Sequence, residues 1–219
     1  MTKVNSATSS TSDFEPAHPK YRIIRQEREY DGYFKIDRYT VETGCAEDES
    51  LQTFERYVFE RGDAVAVLLH NVAATDVVLV RQFRMPPLCR GDVPWFPEII
   101  AGTLRPGDDP VEMAIREVME EAGVRDVSPV FRALFYLSPG GSTERCFLYT
   151  AEVDTGNLEG HVGGEARTEE RTCVEVHGIA SVQEMIARGE IQDAKTILAI
   201  QDFLIRRIKG NDNGTASNS

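Results

Sequence analysis

Glu117, Glu120 and Glu121 are the residues of this chain whose type and spacing most clearly suggest chemistry. At about 100° per residue, a helix gathers all three into one narrow arc. Like charges so placed repel each other unless something positive sits among them. Carboxylate oxygens are hard ligands, and the cations they suit are Mg²⁺ or Mn²⁺. A solvated acidic helix face is the competing reading, and charge alone favours it. Arg81-Gln82-Phe83-Arg84 closes an apolar run. A guanidinium there can present a planar fork to a diphosphate, or can be no more than a solvated strand end. Glu98 precedes Ile99-Ile100-Ala101-Gly102, and a carboxylate on a buried strand needs a partner. Residues 160–171 (GHVGGEARTEER) form a long glycine-rich acidic stretch. It is either a solvated loop or one of the long loops that carry function over a core. Ser138-Pro139-Gly140-Gly141 is a turn by composition.

The helix that would carry the glutamates is delimited at both ends. Asp109 can serve as N-cap, Pro110 suits the first helical position, and Glu112 stands where a capping box places an acid. Gly123 can close the helix in a left-handed conformation. Val111, Ala114, Ile115, Val118, Met119 and Ala122 gather on the flank turned toward a core. Residues 64–70 and 76–81 read as buried strands around a short turn, and 130–137, 145–153 and 172–177 as further strands. Helical patterns cover 181–188 and 193–207, where Asp193-Ala-Lys-Thr196 is read as structural. Strands and helices mixed in this order predict an α+β fold, an α/β/α sandwich.

Ahead of that domain, 21–59 reads as an antiparallel strand meander with a polar break at 44–50. It is too thin to bury a core alone, so it must pack on the rest of the chain or on a partner subunit. The expected organisation is a disordered tail over 1–18, an antiparallel β subdomain over 19–62, the main domain over 63–209, and a second disordered tail over 210–219.

Composition bounds the function. The 219 residues carry a net charge of −12 and no basic stripe, which argues against a nucleic-acid partner. An acidic protein can still bind a polyphosphate where metal ions and a few arginines reverse the field locally. Nowhere do about 18 apolar residues run together, so no membrane span is expected. The N-terminus lacks the basic and apolar segments of a secretory signal. Cys45, Cys89, Cys146 and Cys173 are scattered without a C-x-x-C pair, as suits idle thiols in a reducing cytoplasm.

Gly102, Arg116, Glu117, Val118, Glu120, Glu121, Gly123 and Val124 stand at the spacing of the Nudix box, and the segment resembles that family's signature. The one departure is Asp108, where the family has Glu; the resemblance gives that position the task of bracing the loop and the arginine. Residues 56–84, 98–102, 138–145 (SPGGSTER) and the closing helices resemble the ADP-ribose and nucleotide-sugar pyrophosphatase branch, over about 21–207 in all. The resemblance implies a mixed sheet between helices and two to three Mg²⁺ or Mn²⁺ ions per site. Glu117, Glu121, the Ala101 carbonyl and a loop glutamate would hold them. Glu169 is the aligned choice for that loop acid, with Glu165 and Glu170 as rivals, and it would also help activate water. Glu120 would ligate through water, and Arg116 would orient its neighbours. Arg84 would hold the diphosphate, with Arg56, Glu98, Gly140 and Glu144 also serving the substrate. The implied reaction is ADP-ribose plus water giving AMP and ribose 5-phosphate, in a cytoplasmic homodimer that exchanges its meander. GDP-mannose or another nucleotide sugar is the alternative substrate, and a non-catalytic ligand-sensing module the alternative class.

Overall fold

Residues 64–69 are apolar at every position, so a strand made from them must be covered on both faces. The computed structural model, which describes residues 21–44, 51–164 and 171–215, meets that requirement. In chain order its elements are β1 (Tyr21–Asp31), β2 (Lys35–Thr43), β3 (Gln52–Glu60), β4 (Asp63–His70) and β5 (Asp76–Phe83), then α1 (Met85–Arg90), β6 (Trp95–Glu98), β7 (Ile100–Thr103) and α2 (Pro110–Ala122). There follow β8 (Val130–Tyr136), β9 (Arg145–Glu152), β10 (Val162–Gly163), β11 (Thr172–Gly178), α3 (Ile179–Ala187) and α4 (Ala194–Thr215). The chain divides into two compact units, Met1–Phe59 and Glu60–Ser219.

In the second unit the main sheet runs β10-β11-β5-β4-β9-β8. The β4–β9 pair is parallel, whereas β4–β5, β5–β11 and β8–β9 are antiparallel, so the sheet is mixed. Side chains alternate along β4. Val65, Val67 and Leu69 join Met113, Ala114, Val118 and Ala122 of α2 in one core layer. Ala66 and Leu68 join Val182 and Met185 of α3 and Ala199, Ile200 and Phe203 of α4 in the other. Each such side chain, once fully buried, contributes on the order of 1.5–3 kcal/mol for the larger aliphatics. The expected α/β/α sandwich with a mixed sheet is the fold observed.

The box helix has the expected ends. The Asp109 carboxylate accepts the backbone N–H groups of Val111 at 2.8 Å and Glu112 at 3.1 Å. Gly123 closes α2 at φ +67, its N–H returning to the Met119 carbonyl. Other boundaries moved. The α4 backbone stays helical to Thr215, beyond the apolar pattern that ends near Arg207. Adding a residue to an existing helix gains one hydrogen bond per residue fixed, so the backbone can outrun the packing that nucleated it. No periodic signal marks α1, because Pro86 and Pro87 occupy a first turn whose N–H groups need no intrahelical partner.

The first unit is a three-stranded sheet in the order β1-β2-β3. β1 and β2 pair antiparallel from Tyr21↔Thr43 to Asp31↔Lys35. Charges knit its surface: Arg28 pairs with Asp37, and Arg38 reaches Glu29 at 2.5 Å, Glu27 at 2.7 Å and Glu55 at 2.8 Å. Its large apolar side chains are left open, with Tyr33 92% exposed and Ile23, Tyr30 and Tyr57 more than half exposed. The tail expected over 1–18 lies outside the described residues, as do Cys45 and residues 216–219.

Asp109→Ala removes the cap of α2 without touching its apolar flank. A loss of about 1 kcal/mol is expected, read as a lower urea midpoint at unchanged slope; an unchanged midpoint would mean the cap does not hold this helix.

Candidate active site

The site is built where two central strands part. β4 and β5 pair at Leu69↔Val78 and His70↔Val77. Farther along, β6 pairs with β5 from Val80↔Glu98 to Phe83↔Trp95, and β7 pairs with β4 from Val67↔Ile100 to Ala64↔Thr103. The chain therefore crosses from one strand to the other at Ile99. Glu98 sits just before the crossing and Ala101 just after it.

Glu98 is 3% exposed and needs a counter-charge. Arg84, one residue past β5, supplies it through Nε at 2.8 Å and Nη2 at 3.2 Å. Among the described residues no side chain is bonded to Arg84 Nη1, so part of the fork remains open to an anion. Burial works against the Arg84 charge, but Glu98, Glu121 and Asp193 outweigh it and hold its pKa above the usual value.

Glu121 closes the other side. It projects from the last turn of α2, is 9% exposed, and lies near the Ala101 amide, which favours its charged form. Its Oε2 is buried with no hydrogen-bond partner. Burial first, and the neighbouring Glu117 second, push its pKa up to about 8; Arg84 and the Ala101 amide pull the other way without compensating. Glu117 lies directly over Gly102, so closely that a Cβ there would overlap its carboxylate, which explains the glycine. The end of α2 is pinned by its last carbonyls: Gly164 N–H donates to Glu120 at 2.9 Å, and Thr172 Oγ1 to Glu121 at 3.2 Å.

Among the described residues, the buried Oε2 of Glu121 has no partner to offset its charge, and a hard oxygen donor of that kind fits a divalent cation. Glu121, Glu117 and the Ala101 carbonyl are the residues that would hold it. Among the described residues no three Asp, Glu, His or Cys side chains gather as a complete ligand set. The further acid expected from the loop, Glu169 or its rivals Glu165 and Glu170, lies outside the described residues.

The other expected residues are dispersed. Glu120 is exposed on the same helix. Arg116 points to Asp108 at 4.0 Å and to the Met113 sulfur at 2.5 Å. Asp108 accepts the Arg105 N–H at 3.0 Å and so closes the loop ahead of α2. Glu144, at the start of β9, pairs with Arg61 at 3.7 Å. Gly140 lies in the exposed turn before it, where an added Cβ would meet open space, so packing does not demand glycine there. Arg56 belongs to the N-terminal unit and stacks over Phe54. A cleft of about 490 Å³ between β5, β6 and the α3–α4 connection is lined by Arg81, Trp95, Phe96 and Gln192 and by none of the box acids.

The segment from Asp193 to Thr196, read from the sequence as structural, also reaches the site: Thr196 accepts the N–H of Ile99, between Glu98 and Ala101, and Asp193 accepts the N–H of Thr196. The Asp-x-x-Thr pattern was the available signal for that helix start.

Comparison with known proteins places this geometry. The family description "NUDIX domain" matches residues 60–200. The ADP-ribose pyrophosphatase of Escherichia coli (strain K12) is 31% identical over 183 residues, covering 82% of this chain and 85% of that protein. The GDP-mannose pyrophosphatase of Yersinia pestis (strain Pestoides F) is 36% identical over 173 residues, covering 77% and 84%. A solved structure described as an ADP compounds hydrolase superposes with TM-score 0.64 at 16% identity, over 90% of this chain and 98% of that one, and shares the fold.

The Glu121 carboxyl couples protonation to folding. An unfolded glutamate titrates near about 4.3, and this one near about 8. Between those values the folded state holds a proton that the unfolded state has lost, so stability falls as pH rises. In the presence of a chelator, the urea midpoint is expected to drop between about pH 5 and about pH 8. Glu121→Gln has no proton to lose and should flatten that slope; parallel slopes in both proteins would assign it to other groups.

Proposed function

The chain belongs to the Nudix family, and from that premise we propose that it hydrolyses the diphosphate bond of a nucleoside diphosphate linked to a sugar, with ADP-ribose as first substrate and AMP and ribose 5-phosphate as products. The observation that carries the reading is the Glu121 carboxylate, buried with an unpartnered Oε2 between Glu117 and the Arg84–Glu98 pair. A protein that only senses a ligand has no need to bury a carboxyl beside a second glutamate in so costly an arrangement. The activity is that of a hydrolase acting on a phosphorus-containing anhydride.

The chain's own residues divide the work. Arg84, braced by Glu98, presents the rest of its guanidinium fork to the diphosphate and fixes its orientation. Glu117 and Glu121, with the Ala101 carbonyl, would hold the divalent cation, Mg²⁺ or Mn²⁺ in two to three copies, which when bound would neutralise charge on the phosphoryl oxygens and acidify a water. Glu120 contributes its charge from the exposed side of the same helix, and Glu169 is the proposed loop acid that completes the set and receives the proton of the attacking water. Arg116 and Asp108 steady the loop ahead of α2. Arg56, Gly140 and Glu144 are proposed to line the sugar and base ends. GDP-mannose is the second reading, favoured by the higher identity, 36%, to proteins that act on it.

A homodimer belongs to the same proposal, supported by the single-layered N-terminal sheet with its exposed Tyr30, Tyr33 and Tyr57. Aromatic faces of that kind stack on any base, leaving nearby polar groups to choose adenine or guanine. No nucleic-acid partner is proposed, in keeping with the net charge of −12. No helix among the described residues is long and apolar enough to cross a membrane. Cytoplasmic residence is supported by the unpaired thiols of Cys89, Cys146 and Cys173.

Two experiments test the proposal. AMP or GMP release from ADP-ribose, GDP-mannose and other nucleotide sugars, with Mg²⁺ and Mn²⁺ supplied separately, is expected to favour ADP-ribose, and Glu121→Gln to reduce that rate on the order of 10²-fold or more. Wild-type turnover by the variant at saturating Mg²⁺ removes the metal site from the mechanism. Deleting residues 1–59 should leave an aggregated or inactive protein despite an intact box; a fully active monomer, shown by sedimentation, would sink the dimer model.

A further inference from the structure

The crossing from β6 to β7 leaves a backbone problem at Ile99. This residue is fully buried, and it lies between the last pair with β5 (Val80↔Glu98) and the first with β4 (Val67↔Ile100). A buried N–H at such a handover needs an acceptor from elsewhere. It donates to Thr196 Oγ1 at 2.9 Å, across 97 residues of sequence. Thr196 is 0% exposed, and its own hydroxyl proton is committed: Oγ1 donates to Asp193 Oδ2 at 2.7 Å, while the Thr196 N–H donates to the same oxygen at 2.9 Å. Lys195 Nζ holds the other Asp193 oxygen at 2.5 Å. A hydroxyl has one proton. With it turned toward Asp193, the Thr196 lone pair must face the strand.

On either side of that anchor stand the groups of the site. Glu98, immediately before Ile99, holds Arg84, and Ala101, two residues after, sets its amide close enough to Glu121 to favour that residue's charged form. We propose that Thr196, oriented by Asp193, is a positioning residue for hydrolysis: the N-terminus of α4 clamps the strand crossing and thereby fixes the separation between the Arg84–Glu98 pair and the Ala101–Glu121 pair. Thr196 touches neither substrate nor cation; it acts through the backbone of Ile99. This rests on the proposed metal-dependent hydrolase reading, which makes those two pairs the working groups. Asp193 also lies close enough to Arg84 to raise its pKa, so the clamp and the arginine form one electrostatic unit.

The test compares Thr196→Val, which keeps the shape and removes the acceptor, with Thr196→Ser, which keeps the hydroxyl. Two quantities are read: the dissociation constant for Mn²⁺, from the electron paramagnetic resonance of the free ion, and amide hydrogen exchange of Ile99 and Ala101 in the metal-free protein. Changing a group that orients ligands typically weakens metal binding about 10–100-fold. Thr196→Val is expected to weaken Mn²⁺ binding to that extent and to speed exchange at Ala101 as well as at Ile99, and Thr196→Ser to restore both. A Thr196→Val protein that is merely less stable, with wild-type Mn²⁺ affinity and an unaltered Ala101 amide, overturns the proposal. If Thr196→Val does not fold, Asp193→Ala removes the acceptor of the Thr196 hydroxyl, frees it to rotate and should move both readouts in the same direction; wild-type values there overturn it equally. The two readings fail separately. Wild-type protein that holds no Mn²⁺ defeats the metal reading, whereas the Ala101 amide still decides whether Thr196 holds the strand.

Discussion

A carboxylate buried beside another carboxylate is the constraint on which the site depends. Glu121 would be tolerated on an exposed helix end at almost no cost, but at 9% exposure, with Glu117 as neighbour, its charged form is disfavoured by the fold. Among the described residues Arg84 and the Ala101 amide oppose that trend, and they do not balance it. The tension fits a Nudix hydrolase, in which positive charge is to arrive with the reactants. It also explains why the end of α2 is fastened so firmly. Gly164 and Thr172 take up the carbonyls of Glu120 and Glu121, so repulsion between the glutamates cannot be relieved by unwinding the last turn.

The same site exploits a break in the sheet. Where β4 and β5 diverge, one continuous segment pairs first with one and then with the other. A regular sheet would give each of its backbone groups a neighbour and bury its side chains in alternating layers. At the crossing, by contrast, Glu98 and Ala101 can serve one cluster while Ile99 and Ile100 enter the two core layers. The rigid apolar packing of β4 on both faces lets this irregular segment be held in place. The helix of the opposite layer also contributes, since Thr196 is the acceptor for Ile99.

The N-terminal unit follows a different economy of forces. Its described residues are joined by strand pairing and by cross-strand ion pairs, with Arg38 shared among three glutamates, and none of them belongs to either apolar core layer. Exposed ion pairs of this kind contribute little each, about 0–1 kcal/mol. The near-complete burial of Asp37 against Arg28 is the exception and serves to fix the register of β1 on β2.

Local patterns were legible because each has a local cause. The cap at Asp109, the left-handed Gly123 and the two-faced burial of residues 64–69 follow from neighbours within a few positions and stand as the sequence implied. Of the flank expected on α2, by contrast, only Ala114, Val118 and Ala122 are buried, joined by Met113. Val111, Ile115 and Met119 are exposed, because the layer above the helix decides which part of its surface is covered. The box acids were legible for the same reason: one helix turn puts Glu117, Glu120 and Glu121 on an arc. Their unequal burial was not, because it is set by what packs over each. Glu121 lies against β7, Gly163 and Thr172, whereas Glu120, one residue away, stays in solvent. Nor could the sequence show that Arg84 is bound to Glu98, 14 residues on, or that Thr196 answers the Ile99 amide from 97 residues away. Sequence alone determined which residues could do the chemistry. The tertiary structure decided which of them are buried, paired and held apart, because those properties depend on strands that meet only after the chain has folded.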